Sequence, residues 1–198
     1  MDKDAIRQAV WDGLEASGEA RFPFPPHDRI PNFAGADGAA NRLQETDAWT
    51  EAETIKANPD APQLPVRRAA LRAGKTLYMA VPRLREAQCF LELDPDVIED
   101  IDHATTVGGS AEVGIPIGPE TMPDIDLIVS GSVAVDPDAF GAGVAVAPGV
   151  PGSAVDGGVA VRRDAVGTHS GRLTVVSPTA VYSTRIDTDP CTGLEVSP

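Results

Sequence analysis

Between Thr54 and Val81 the chain runs from a short strand pattern through a turn-rich loop and a bounded helix pattern into a second strand, all within 28 residues. Thr54-Ile55-Lys56-Ala57 is the first strand, and Asn58-Pro59-Asp60-Ala61-Pro62 is the loop at its end. Pro65 to Ala73 reads as a helix: proline sits in the first turn, where its missing N–H is not needed, and Gly74 follows the last turn. Thr76 to Val81 is the second strand. Strand, helix and strand over this span form a βαβ unit, which needs a right-handed crossover and a parallel sheet covered on both faces. Cys89 to Leu93 and Ile125 to Val135 read as further strands. The expected fold is therefore α/β, a three-layer αβα arrangement on a mainly parallel, Rossmann-like sheet. Thr76–Val81 and Ile125–Ser130 should be its buried central strands. Ligands of such sheets bind beyond the carboxyl ends of the strands, here Asn58 to Asp60, Pro82 to Arg85, and Ser130 to Asp136.

Upstream of this unit, Ile6, Val10 and Leu14 recur at helical spacing beside Trp11, with Asp2 or Asp4 as candidate cap and Ser17-Gly18 as the stop. The stretch from Arg21 to Ala36 is too rich in proline for a helix or central strand. It reads as an ordered loop pinned by Phe22, Phe24 and Phe33, with a short helix after it over Asp37 to Thr46. Downstream, Gly141 to Gly171 is mostly glycine, alanine and valine without helix period or cap. That stretch is either a loop over a site or a low-complexity insertion. Short strands are expected again over Leu173 to Ser177 and Ala180 to Tyr182. The domain reading is residues 1–138 plus 173–198, interrupted by a divergent segment over 139–172.

Composition excludes several classes. The net charge is −14, and only three of the sixteen basic residues are lysine: Lys3, Lys56 and Lys75. Many carboxylates with almost no lysine suit a protein kept soluble in concentrated salt, where the Debye length falls to about 3 Å at 1 M. Such a surface repels nucleic acid. No apolar run approaches the roughly 20 residues needed to span a bilayer, and the charged start MDKDAIRQAV lacks an export signal. Two isolated cysteines, Cys89 and Cys191, form neither a disulfide framework nor a zinc motif. A monomeric cytoplasmic protein without membrane or nucleic-acid partners is expected. His27, His103 and His169 are scattered and read as surface or loop residues, and no hydrolase motif is present.

Four stretches, IRQAVWDGLEASGEARFPFPP, RIPNFAGADGAA, IKANPDAPQLPVRRAALRAGKTLYMAVPRL and MPDIDLIVSGSVAV, together resemble the 5-formyltetrahydrofolate cyclo-ligase family. The resemblance is strongest to its methenyltetrahydrofolate-synthetase-domain branch, common in archaea; SPTAVYSTR and CTGLE resemble that branch's C-terminus. It implies an αβα fold, ATP with Mg²⁺ as cofactors, no resident protein-bound metal, and closure of 5-formyltetrahydrofolate to 5,10-methenyltetrahydrofolate.

By the same resemblance, Lys3 and Arg7 correspond to a lysine and arginine that meet nucleotide phosphates; their spacing places them on one helix face. The pair reads equally as ordinary solvated charges. Arg83 matches a basic position after a strand. It lies in a run with Arg67, Arg68, Arg72, Lys75 and Arg85 that either holds an anion or pairs with local carboxylates. Asn58, Asp60 and Gln63 fall on the folate side, with Gln63 where the enzymes have glutamate. The family follows its IDLIVSGSVAV-like strand with a phosphate-cradling Gly-Lys-Gly-x-Gly-Tyr loop. Here Asp136 to Ala145 keeps Gly141 and Gly143 without the lysine or the tyrosine. A frame disruption recovered near Leu173, or divergence to a non-catalytic role, accounts for that segment, and weak or absent turnover is expected.

Overall fold

A computed structural model describes residues 3–81 and 87–134, together with the backbone of four later strands. Helix α1 spans Lys3–Ser17, and a two-residue pair β1 (Ala20–Arg21) and β2 (Asn32–Phe33) follows. Next come α2 (Ala36–Gln44), α3 (Asp47–Glu51), β3 (Thr54–Ala57), the 3₁₀ turn Ala61–Gln63, α4 (Leu64–Arg72) and β4 (Thr76–Ala80). The chain continues through β5 (Phe90–Leu93), α5 (Ile101–Ala104), α6 (Val107–Val113), β6 (Ile115–Ile117) and β7 (Leu127–Gly131). Four strands complete the order: β8 (Gly158–Arg163), β9 (Ser170–Val176), β10 (Val181–Asp189) and β11 (Gly193–Val196).

Among the described residues the main sheet runs β11-β10-β9-β8-β7-β3-β4-β5-β6. Its centre is parallel: β3 pairs with β4 through Ile55↔Leu77 and with β7 through Ile55↔Leu127. The α/β class and the β3–α4–β4 unit are as the sequence predicts, and β4 and β7 are interior strands. Leu77, Leu127 and Ile55 are fully buried, and Val129 nearly so. Parallel pairing stops at that centre, because β4–β5, β5–β6 and every contact from β7 to β11 are antiparallel. The strand expected over Ile125 to Val135 is shorter, Leu127–Gly131, since the backbone leaves the ladder after Gly131. Strand Gly158–Arg163 falls within 139–172, where Val159 and Val161 alternate as pairing in a sheet favours, and Ser170–Val176 begins there and runs past it.

Apolar spacing explains the helices. Ala36, Ala39, Ala40 and Leu43 give α2 one buried stripe, and Val66, Ala70 and Leu71 do the same for α4. Both stripes meet the Ile55, Ala57, Leu77, Leu127 and Val129 face of the sheet in one core. Gly18 and Gly74 follow α1 and α4 at φ +72° and +73°, the left-handed geometry that glycine adopts without strain. The short helices α3, α5 and α6, absent from the sequence reading, are each capped by a side chain. Thr46, Asp100 and Thr106 accept from the backbone N–H of Trp49, His103 and Gly109. Of the two candidate caps, Asp4 lies inside the first turn of α1 and pairs with Arg7, and Asp2 lies outside the described residues.

The proline-rich loop is held differently from expectation. Phe33 is buried, but Phe22 and Phe24 are 78 % and 60 % exposed. Polar contacts fix the loop instead: Trp11 Nε1 donates to Arg29 O at 3.0 Å, and Asn32 Nδ2 donates to Phe22 O at 2.8 Å. His27 also pairs with Asp12 at 2.8 Å and lies against the Trp11 ring.

Candidate functional site

From β3 the chain crosses through α4 to β4 on one side, while β7 lies on the other side of β3. The carboxyl ends of β3 and β7 lie side by side, and open α/β sheets place their ligands in a crevice beyond such strand ends. Asp126 sets the register from the opposite end, accepting from the N–H groups of Glu53 and Thr54 and from Thr54 Oγ1 at 2.9–3.0 Å.

At the carboxyl ends, the loop after β3 folds back on itself. Gln63 is 3 % exposed: its Oε1 accepts from Asn58 N at 2.9 Å and its Nε2 donates to Asp60 Oδ2 at 3.2 Å. Lys56 Nζ donates to Asn58 Oδ1. Arg67, from α4, lies beneath the loop at 2 % exposure. Its guanidinium donates to Asn58 O, to Asp60 O at 2.9 Å and to Thr105 O at 3.0 Å, so the buried charge is spread over three backbone carbonyls. Gly131 closes the other wall. A Cβ there would stand 2.9 Å from Gln63 Nε2, 3.0 Å from Ile30 Cγ2 and 3.3 Å from Asp60 Oδ2. Only glycine lets the end of β7 approach that closely.

The electrostatics follow from burial. Burial raises the Asp60 carboxyl above the usual carboxylate value, opposed by the charges of Arg67 and Lys56 and by hydrogen bonds from Asn58 and Gln63. Burial lowers the Lys56 ammonium, with Asp60 pulling it back up. Arg67 is lowered to about 10 by burial, again against the attraction of Asp60. On the same sheet face, Tyr78 stands opposite Lys56 in register and donates to Glu92 Oε2 at 2.9 Å; burial and that carboxylate push its phenol up to about 12.

The structure thus brings Asn58, Asp60 and Gln63 into one cluster, with both ends of the Gln63 amide engaged inside the loop. Sequence reading did not single out Lys56, the anchoring function of Arg67, or Gly131. A lysine in the strand, four residues before the aspartate of an Asn-Pro-Asp turn, was the signal available for the first.

The run of cations is dispersed. Arg67 serves backbone carbonyls, whereas Arg68 and Arg72 both lie within 2.8–2.9 Å of Asp102 Oδ1. Arg72 forms a hydrogen bond there, while the Arg68 Nε contact is ionic without hydrogen-bond alignment. Lys75 donates to Ala52 O and sits 5.7 Å from the Trp49 ring centroid. Pairing with local groups is therefore what the four described members of this run, Arg67, Arg68, Arg72 and Lys75, do. Arg7 forms an exposed 2.6 Å ion pair with Asp4. Its neighbour Ile6 packs with Val10 on Ala134, so this turn of α1 abuts the segment leaving β7. Arg83, Arg85, Gly141, Gly143 and the Lys3 side chain lie outside the described residues, as does His169. His103 pairs with Glu112 at 2.9 Å. Among the described residues no group of three or more His, Cys, Asp or Glu side chains is placed to hold a metal ion, and no helix is long and apolar enough to cross a membrane.

Comparison with known proteins gives this geometry a context. The methenyltetrahydrofolate synthase domain-containing protein of Mus musculus is 41 % identical over 138 residues, covering 68 % of this chain and 37 % of its own length. Its Danio rerio counterpart is 38 % identical over 133 residues, covering 66 % and 35 %. The Homo sapiens protein is 36 % identical over 138 residues, covering 68 % and 36 %. The chain spans little more than a third of the length of these curated relatives. No solved structure matches. The profile of the 5-formyltetrahydrofolate cyclo-ligase family matches residues 2–143, which takes in α1, the β3–α4–β4 unit, the Asn58–Gln63 loop and β7. The C-terminal resemblance in SPTAVYSTR and CTGLE falls beyond that match. Over most of its length, then, this chain belongs to the 5-formyltetrahydrofolate cyclo-ligase family.

Proposed function

We propose that the chain is a folate cyclo-ligase domain that binds 5-formyltetrahydrofolate and ATP with Mg²⁺, and that its own turnover is weak or absent. The observation that carries the reading is the family match through both walls of the crevice, the Asn58–Gln63 loop and the end of β7. Bound ATP would supply the activation of the formyl oxygen that lets a neighbouring nitrogen close the ring. The residues at the strand ends suit the two ligands. Asp60 is a half-buried acceptor of the kind a pterin's N–H groups need, and Asn58 adds an amide beside it. Lys56 offers an ammonium to an anionic oxygen, and Arg67 holds the loop in shape from below. Mg²⁺ arrives mainly on phosphate oxygens and asks little of the protein. Lys3, Arg7, Arg83, Gly141 and Gly143 are proposed for the nucleotide, and Asn58, Asp60 and Gln63 for the folate. In this reading Gln63 acts by fixing Asn58 and Asp60.

Weak turnover rests on the sequence after β7, where Asp136 to Ala145 lacks the lysine and tyrosine of the family's phosphate loop. Loss of one positioned donor typically lowers a rate by about 10²–10³. The same feature favours a second reading, a non-catalytic anion- or nucleotide-binding regulatory module on this fold. The test is spectroscopic detection of 5,10-methenyltetrahydrofolate by the full chain with ATP and Mg²⁺ in high salt. The expected result is a trace at most, with activity restored by grafting a Gly-Lys-Gly-x-Gly-Tyr loop after Asp138. Turnover near about 1 s⁻¹ without the graft would overturn the weak-turnover reading, and a grafted chain that binds ATP but forms no product would favour the module.

A further inference from the structure

We infer that Lys56 is the cation this crevice presents to an anionic oxygen of its ligand, with the Asn58 side chain holding that ammonium until the ligand arrives. The inference deepens the proposed folate and nucleotide site and rests on the same crevice.

Three observations carry it. The first is placement. Lys56 lies on β3, between the parallel strands β4 and β7, with Tyr78 and Ile128 as its register partners. The core face of the same strand is Ile55 and Ala57, both fully buried, so Lys56 points to the opposite face. The second is its partner. The ammonium is half-buried, yet the hydrogen bond described for it is to a neutral amide oxygen, Asn58 Oδ1. Desolvated charges are ordinarily matched with an opposite charge in hydrogen-bond contact. Asp60 attracts Lys56 through space, but the hydrogen bonds to the Asp60 carboxylate come from Gln63 and Asn58. An ammonium with three donors, parked on an amide, is set to exchange that contact for a stronger charge-assisted one.

The third is that the described cations of α1, of α4 and just after it are engaged elsewhere. Arg67 is committed to three carbonyls, Arg68 and Arg72 to Asp102, Lys75 to Ala52 and Trp49, and Arg7 to Asp4. Lys56 and Arg67 both face Asp60 there, a locally cationic spot in a chain of net charge −14. A phosphate of a nucleotide or a carboxylate of a folate tail supplies the same anionic oxygen, and the experiment separates them.

The chain has three lysines, so lysine-selective ¹³C labelling gives three side-chain signals, assigned with Lys56→Arg and Lys75→Arg variants. Pyrophosphate, ATP and 5-formyltetrahydrofolate are titrated separately into the full chain, at the lowest salt that keeps it folded. The Lys56 signal should move saturably with at least one of them while the Lys75 signal stays put. Response to pyrophosphate and ATP identifies phosphate, and response to 5-formyltetrahydrofolate alone identifies the carboxylate. Lys56→Met should weaken the responding ligand by at least about tenfold, and Lys56→Arg by no more than about threefold. If Lys56→Met does not fold, the wild-type titration and Lys56→Arg decide. A Lys56 signal that stays still under all three probes, or a folded Lys56→Met that binds like wild type, overturns the inference. Folate binding seen elsewhere in the spectrum with Lys56 silent would sink this inference and leave the proposed function standing. A Lys56 response to phosphates without folate binding would do the reverse.

Discussion

Asp60 carries the most specific residue-level expectation. Its pKa is raised by burial, so the fold disfavours the charged form relative to the unfolded chain, whose carboxyl titrates near 3.8. A carboxyl with a raised native pKa binds its proton more tightly when folded, so its contribution to stability falls as pH rises through that value. Asp60→Asn keeps an oxygen for Gln63 Nε2 and removes the charge. The variant should therefore match wild type below the unfolded pKa and become the more stable protein at neutral pH, while losing ligand affinity. Chemical denaturation at acid and neutral pH checks this, and a variant less stable than wild type at neutral pH would contradict it. Residue identity alone could not convey the division of labour behind that expectation. Asn58 to Asp60 were legible because an Asn-Pro-Asp turn follows a strand, and Gln63 joined them only through the family resemblance. That Gln63 turns both amide ends inward, and that Arg67 spreads its charge over carbonyls 38, 9 and 7 residues away in sequence, depends on contacts the sequence order does not display.

At the scale of elements, β3, α4, β4 and β7 were readable because their signals are local: alternation, proline at a helix start, glycine after its end. The short capped helices were not, since four to seven residues carry too little periodicity to stand out. The phenylalanines of the proline-rich loop misled for a different reason. Aromatic content suggests burial, but this loop is tied by Trp11, Asn32 and Asp12 through polar bonds, leaving Phe22 and Phe24 in solvent. The packing of β7 against the site loop gives a direct test. A methyl group at 131 meets Gln63 Nε2 and Ile30 Cγ2 at 3.0 Å or less, which forces one of them to move. Gly131→Ala should cost about 1–3 kcal/mol by overpacking and reduce ligand affinity, both measurable by ligand-dependent melting. A substitution neutral in both respects would show that the loop is not held against β7.

For the whole molecule, the charge pattern makes its own prediction. Thirty acidic residues against sixteen basic ones repel one another in dilute buffer. Raising KCl from about 0.1 M to 1 M shortens the Debye length from about 10 Å to 3 Å and should raise the melting temperature steadily. A melting temperature that is flat or falls with salt would argue against adaptation to concentrated salt. The family match, the parallel centre of the sheet and the polar cluster at its strand ends support one central proposal: that this site binds a folate. Calorimetric titration of 5-formyltetrahydrofolate into the full chain in high salt tests it most directly, with Asp60→Ala at the crevice and Asp102→Ala outside it. The account predicts one-to-one binding by wild type, a loss of at least about tenfold in Asp60→Ala, equivalent to about 1.4 kcal/mol, and no change in Asp102→Ala. Absence of binding by a folded wild-type chain, or equal affinities for wild type and Asp60→Ala, would contradict it.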